Sequence, residues 1–281
     1  MSAASRFNRV WLITGASRGL GLSIAKAALD AGDAVVATAR KAQSVMDALG
    51  KRANLLALDL DVTNERQIAV SVAAAMERFG RIDVLVNNAG YGIVGAVEEA
   101  SPEEVRRIYD TNVFGLLSVT RAVLPHMRKQ RSGFIINMGS ESGYQSRPGY
   151  GIYTSTKFAL EGISEALHAE LAPLAVHVTV VEPGYFRTEF LNESSLVESS
   201  SRIADYSGTA GESRNRARAY RGRQAGDPEK LAQAMLILVA SENPPLRLQM
   251  GKDAVAAIES KNAFVARELA AWREISTSTD F

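Results

Sequence analysis

Val10-Trp11-Leu12-Ile13 is an unbroken apolar run that passes directly into Thr14-Gly15-Ala16-Ser17-Arg18-Gly19-Leu20-Gly21. Such a run reads as a strand buried on both faces, as in the middle of a parallel sheet. Beyond the turn, Leu20, Ile24, Ala27 and Ala28 recur at helical spacing, and the pattern stops near Gly32. This order restricts the chain severely, because parallel strands need crossover helices that must then cover the sheet. It also builds a phosphate cradle: glycines let the backbone come close, and a helix N-terminus offers unpaired N–H groups. The alternative for the turn alone is a tight connection that binds nothing.

The next strand, Ala34 to Thr38, is followed by Ala39-Arg40. A dinucleotide site selective for NAD has an acidic residue near this point, which holds the ribose 2′-hydroxyl. Here no carboxylate follows until Asp47. The Arg40 guanidinium suits a 2′-phosphate, and Arg18 within the turn is a second cation for it. Both point to NADP(H), with solvated surface arginines as the alternative. A third strand, Leu55 to Leu58, leads to Asp61 and Val62, placed either to border an adenine ring or, for Asp61, to open the helix of about 64–79. A fourth strand ends in Asn87-Asn88-Ala89-Gly90, a turn that ties itself together or forms the floor of a cofactor site.

Ser101-Pro102-Glu103-Glu104 has the serine cap, first-turn proline and returning glutamate of a helix start. Asn112 lies mid-helix among apolar neighbours and reads as a core amide. A fifth strand, Phe134 to Met138, precedes Gly139-Ser140-Glu141-Ser142-Gly143, and a long helix carries Tyr153 and Lys157 to about Leu171. A sixth strand, Val176 to Val181, ends in Glu182-Pro183-Gly184-Tyr185-Phe186-Arg187-Thr188. Residues 189–226 are polar and irregular, an excursion of the kind that forms lids or binding loops, ordered or not. A capped helix from Asp227-Pro228, a short strand at 244–248 and an amphipathic helix of about 253–272 complete the chain. The alternation implies one domain, 1–281, built on a doubly wound parallel sheet of about seven strands with helices on both faces.

Tyr153 and Lys157 are four residues apart, one above the other on a helix. A free phenol titrates near ~10, and a neighbouring ammonium favours the phenolate, so the pair is suited to acid/base work near neutrality. A net charge of +1 gives no electrostatic footprint for nucleic acid or an anionic membrane. With no cysteine, thiol chemistry and disulfides are excluded, and the three histidines lack metal-ligand spacing. Met1 to Arg9 lacks the apolar core of a signal peptide, and no apolar run reaches bilayer length, so a cytoplasmic protein without metal is expected.

Together these motifs resemble the short-chain dehydrogenase/reductase family in its compact, non-extended branch. The likeness rests on Thr14-Gly15-xxx-Gly19-x-Gly21, Asn87-Asn88-Ala89-Gly90, Ser140, Tyr153/Lys157 and Pro183-Gly184, in that order from Thr14 to Thr188. It implies a Rossmann-type fold and an NADP(H)-dependent carbonyl reductase, or the same enzyme run as an alcohol dehydrogenase. Tyr153 would be the acid/base, Ser140 would hold the substrate oxygen, and Lys157 would bind the nicotinamide ribose and lower the tyrosine's pKa. Asn112 would anchor a water relaying protons to Lys157. Thr14, Gly15, Ser17, Arg18, Gly19, Leu20, Gly21, Arg40, Asp61, Val62, Asn88, Ala89, Gly90, Pro183, Gly184 and Thr188 would complete the cofactor site. Gly139 departs from the second serine that many relatives carry.

Ser142, Tyr144, Gln145, Tyr150 and Tyr185 are expected to contact the substrate beside Ser140, and their aromatic tips suit an apolar or aromatic ketone or aldehyde. The arginines from Arg214 to Arg223 read as a solvated helix face rather than a grip on an acidic substrate. A steroid- or retinol-like alcohol oxidised by the same residues, or a silent NADP-binding redox sensor, are the alternatives. The resemblance also implies a homodimer or homotetramer paired through the helices carrying Asn112 and Tyr153.

Overall fold

The computed structural model describes residues 7–281; residues 1–6, within the stretch read as lacking a leader, lie outside the described residues. In chain order the elements are β1 (Val10–Ile13), α1 (Gly19–Asp30), β2 (Ala34–Ala39), α2 (Ala42–Leu49), β3 (Leu55–Asp59), α3 (Glu65–Phe79), β4 (Val84–Asn87) and β5 (Gly92–Val94). There follow α4 (Pro102–Tyr109), α5 (Leu116–Gln130), β6 (Gly133–Met138), α6 (Gly151–Leu171), β7 (Val176–Pro183), β8 (Leu196–Glu198), α7 (Glu212–Tyr220), α8 (Pro228–Ala240), β9 (Arg247–Met250) and α9 (Lys252–Thr277).

Seven strands form one parallel Rossmann-type sheet in the order β3-β2-β1-β4-β6-β7-β9. Alternate residues divide between its two faces. Trp11, Ile13, Val35, Val86 and Ile136 pack beneath α1, α2 and α8, with Ile24, Val45 and Met235 against them. Leu12, Val36, Leu85, Ile135 and Val178 face α3 and α5, through Ile68, Val72, Val119 and Val123. Strand order reverses between β1 and β4, so a crevice opens there at the carboxyl ends of the strands, where α/β sheets bind ligands. No helix among the described residues is long and apolar enough to cross a membrane.

Three elements differ from the sequence reading. The helix begun by Ser101 is not continuous: a π turn, Asp110–Gly115, separates α4 from α5. Gly115 lies there against Val62, where a β-carbon would approach Val62 Cγ2 to 2.7 Å. The widened turn lets Ile108 pack towards Tyr153 while Val113 and Leu116 meet Leu160. The last strand is Arg247–Met250 rather than 244–248, because Pro244 and Pro245 offer no N–H to a ladder and lie before it.

The third difference is the excursion of 189–226, which is ordered and carries a strand as well as helix. It contains β8, which pairs in parallel with β5 (Gly92 opposite Leu196), then a π turn at Ser207–Gly211 and α7. Its anchors are buried carboxylates near the start of α4. Glu99, 1% exposed, accepts from the backbone N–H of Ala96 and Ile203 and pairs with Arg214. Glu104 accepts from Ser101 N and Ser200 N. Arg214 is therefore not on a solvated face, as the sequence reading had it: the glutamate 115 positions earlier draws it inside. Arg216 and Arg218 remain exposed, paired with Glu212 and Glu198.

Candidate active site

The turn after β1 is shaped by glycine and fastened by the asparagine turn after β4. Gly15 adopts φ of +66°, left-handed backbone that other residues avoid. Gly21 has no room for a β-carbon, which would come within 2.3 Å of the Asn88 side chain. Asn88 Nδ2 donates to the carbonyls of Thr14 (2.9 Å) and Gly15 (3.0 Å), while Thr14 Oγ1 accepts from the N–H of Asn88 and Ala89. Thr14, Gly21 and Asn88 thus hold the cradle's shape. Gly15, Ser17, Gly19 and Leu20 line the crevice, and the start of α1 has no side-chain cap, which leaves its first N–H groups for a ligand anion.

At the far end of the same crevice lie Ala39, Arg40, Lys41, Ser44, Asp61 and Val62. Arg40 has no hydrogen-bond partner among the described residues, and no carboxylate follows β2 immediately. Lys41 and Ser44 were not anticipated, although the Arg40-Lys41 pair at a strand end was a readable sign. Asp61 is turned towards Thr63, accepting from its N–H and hydroxyl at 2.9 and 2.7 Å. Arg18 also differs from expectation: it donates to Ser194 Oγ (2.8 Å), Ser194 O (3.0 Å) and Ser195 Oγ (2.7 Å), tying the excursion to the glycine turn.

The crevice, about 1190 Å³, continues to Ser140, Tyr153 and Lys157. Tyr153 is buried, and Ser140 and Tyr153 line the same end of the crevice. The Phe190 ring lies 5.8 Å from the tyrosine ring, a wall supplied by the excursion and missed in the sequence. Lys157 Nζ donates to Met138 O at 2.7 Å and sits 5.8 Å from the Tyr153 ring centroid. Burial pushes the Tyr153 phenol well above its ordinary range, with the Ser140 side chain opposing. Burial draws Lys157 down to about 8, with the Glu161 charge opposing. In the free protein, loss of solvation is thus the largest influence on the phenol, acting against any lowering by a nearby cation. At neutral pH the site therefore holds an un-ionised phenol, ready to give a proton, beside a lysine that remains mostly charged.

Asn112 does not line the crevice. Its side chain accepts from Tyr91 N (3.1 Å) and donates to Tyr91 O (2.9 Å) and Thr156 Oγ1 (3.1 Å), which clamps the asparagine turn to α6 as a satisfied core amide. Gly90, Ala89, Pro183, Gly184 and Thr188 all border the crevice. Of the expected substrate contacts, Ser142, Tyr150 and Tyr185 line it. Tyr144 and Gln145 do not; the Tyr144 hydroxyl is bonded to Asn262 on α9. Arg147, paired with the buried Glu141 at 2.9 Å, joins the lining in their place.

The residues at the glycine turn fit a dinucleotide: an uncapped helix start, an open glycine backbone and an unpaired cation at the ribose end. Comparison with known proteins agrees. Residues 9–198 match the family model described as short chain dehydrogenase. An oxidoreductase of Botryotinia fuckeliana, BOA17, is 37% identical over 96% of this chain and 99% of its own length. A 3-ketodihydrosphingosine reductase of Bacteroides thetaiotaomicron is 39% identical over 86% of this chain and 88% of its own. The crystal structure of a short-chain dehydrogenase from Streptomyces avermitilis superposes with a TM-score of 0.90 at 40% identity, covering 97% and 98% of the two chains. Among other solved relatives, a 3-ketoacyl-(acyl-carrier-protein) reductase from Brucella melitensis is in complex with NADH (29% identity, TM-score 0.73, 88% and 98% covered). A serine dehydrogenase is in complex with NADP+ (32%, 0.73, 86% and 94%). The glycine turn, the tyrosine–serine pair and these likenesses together make the chain a member of the short-chain dehydrogenase family, an oxidoreductase using a nicotinamide cofactor.

Proposed function

We propose that this protein uses NADPH to reduce an apolar or aromatic ketone or aldehyde to the alcohol. The observation that carries the reading is the buried Tyr153 beside Ser140 and Lys157 at one end of a crevice whose other end presents Arg40 and Lys41. The bound cofactor supplies hydride to the carbonyl carbon. Ser140 and Tyr153 donate hydrogen bonds to the carbonyl oxygen as negative charge grows there, and Tyr153 gives up its proton to it. Lys157, held by Met138 O, keeps a positive charge near the phenolate that this leaves. Asn112 fixes the Tyr91 segment and α6 relative to one another, and a water held there would return the proton through Lys157. Arg40, with Lys41 beside it, would pair with a 2′-phosphate.

Tyr91, Ile93, Tyr150, Tyr185, Phe190 and Leu191 give the substrate end an apolar wall. A second cavity of about 860 Å³ continues past Arg147, Tyr150 and Tyr185 beneath α7, with room for a long substrate tail. Two relatives are named as reductases of 3-keto compounds, which favours a ketone. Residues 189–226 serve as the lid in a single-domain enzyme. Pairing of copies would cover Phe114 and Phe158, exposed beside Asn112 and on the tyrosine helix.

NADPH oxidation at 340 nm with aryl ketones, 3-keto acyl compounds, aldehydes, steroids and retinoids tests the reading. Tyr153→Phe is expected to lower turnover by about 10³-fold or more while NADPH affinity changes only a few-fold. Near-normal turnover by that variant would rule the assignment out. Arg40→Asp should weaken NADPH far more than NADH; equal effects on both would rule out the 2′-phosphate contact.

A further inference from the structure

One turn beyond Lys157 on α6, Glu161 points under the sheet's carboxyl edge to meet Glu182 on β7. Both residues are buried, Glu182 completely. Glu161 Oε2 accepts from Arg247 Nε at 2.9 Å, and Glu182 Oε2 accepts from Gln249 Nε2 at 2.6 Å. The remaining oxygen of each, Oε1, is buried with no hydrogen-bond partner, and the residues that hold the two carboxyls, Arg247 and Gln249, stand two apart on one face of β9. Two carboxylates held side by side with no donor for either free oxygen repel each other, whereas a carboxyl and a carboxylate satisfy both oxygens with a single shared proton.

We propose that Glu161 and Glu182 share one proton and, as a pair bearing a single negative charge, act as positioning residues that keep the Lys157 ammonium charged on Met138 O. The inference rests on the role given to Lys157 above. The pair's surroundings allow one charge and no more. From β9, Arg247 meets Glu161 but is shared with the exposed Glu165 of α6 (3.0 Å). After β6, Glu141 is taken by Arg147, and from α9, Asp253 accepts from Tyr185 N and Ala254 N. Lys157 is the other cation on this side, and Glu161 is the charge that opposes its deprotonation. Burial, then the Glu182 charge, pushes the Glu161 carboxyl up to about 8 despite Arg247, and burial also raises Glu182. The proton therefore stays on the pair at neutral pH, and a full second charge appears only in alkali.

Two measurements on the free protein, neither requiring turnover, test this separately from the ketone-reduction reading. Infrared spectra at pH 7 should contain a protonated carboxyl stretch that disappears in Glu161→Gln and in Glu182→Gln. In each variant an amide N–H replaces the shared proton and the surviving carboxyl ionises. In ¹⁵N-lysine NMR, the Lys157 titration should move acid-ward by about one unit in Glu161→Gln/Glu182→Gln, which removes the charge, and by much less in either single variant. Absence of a stretch that the single substitutions remove would overturn the proposal. So would a Lys157 titration unmoved in the double variant. Should the double variant not fold, the infrared result on the single variants decides.

Discussion

The sheet and the excursion of 189–226 are held together by different physics. The sheet buries Val, Ile and Leu on both faces and has few charges inside, apart from the Glu161–Glu182 pair at its edge. The excursion has a small apolar cluster, Val94, Leu191, Leu196 and Ala217, and depends on Glu99 and Glu104 receiving backbone N–H groups and the Arg214 guanidinium. Apolar burial tolerates small shifts and is insensitive to pH, whereas buried charges fix one geometry and fail sharply when a partner is removed. A region whose closure depends on a handful of charged groups is suited to covering a site that must also open.

The largest expected effect is on the excursion. Arg214→Ala strands the Glu99 carboxylate in the interior, a change that costs about 3–5 kcal/mol. Hydrogen-exchange protection should fall through 196–220 while strands β1, β4 and β6 keep theirs. Equal loss in both regions would mean that the two unfold as one unit. Leu85→Ala, in the middle of the sheet, should cost about 2–5 kcal/mol and lower the global denaturation midpoint without selective loss from the excursion.

The two regions should also part with pH, in opposite directions. Burial alone would raise Glu99, but the N–H groups of Ile203 and Ala96 and the Arg214 charge outweigh it and hold the carboxyl below its ordinary value; Glu104 behaves alike through Ser101 and Ser200. Their contribution is present above the unfolded carboxylate value and is lost as pH falls through the lower folded one. Glu161 is raised, so its contribution is complete below the unfolded value and is lost as pH rises towards about 8. Protease susceptibility of 191–226 should increase in acid, whereas the sheet's midpoint should decline as pH rises from the unfolded carboxyl's value towards about 8 and level off beyond it. The same direction in both would erase the distinction. The smallest effect is expected from Arg18→Ala. Loss of its exposed bonds to Ser194 and Ser195 should loosen the near end of the excursion by about 1 kcal/mol or less, seen as faster exchange confined to 192–196.

What was legible in the sequence was local. The glycine turn, the capping box at Ser101 and the Tyr153/Lys157 spacing each follow from a few adjacent residues, and the parallel sheet follows from the alternation of strands with helices. The family resemblance named the site as a whole, yet the directions of side chains depend on distant partners. Tyr144 was assigned to the substrate because it neighbours Ser140, but Asn262 on α9 draws its hydroxyl away. Arg214 reads as one of several solvated arginines until Glu99 is brought beside it. The helical spacing of Lys157 shows a cation near a phenol, but not that both are buried, which only the packing around α6 sets. The π turn leaves almost no trace in the apolar pattern, because inserting one residue re-phases a stripe without interrupting it.

Gly139 constrains which substitutions the sheet edge beside the site accepts. A β-carbon there would lie 2.6 Å from Val180 Cγ1, 3.1 Å from Val181 O and 3.3 Å from Glu161 Oε1. A serine at 139 has no space here while valine stands at 180 and glutamate at 161. Glycine and the acid behind it are thus permitted as a set, and a larger side chain at 139 requires a second change at 180 or 161.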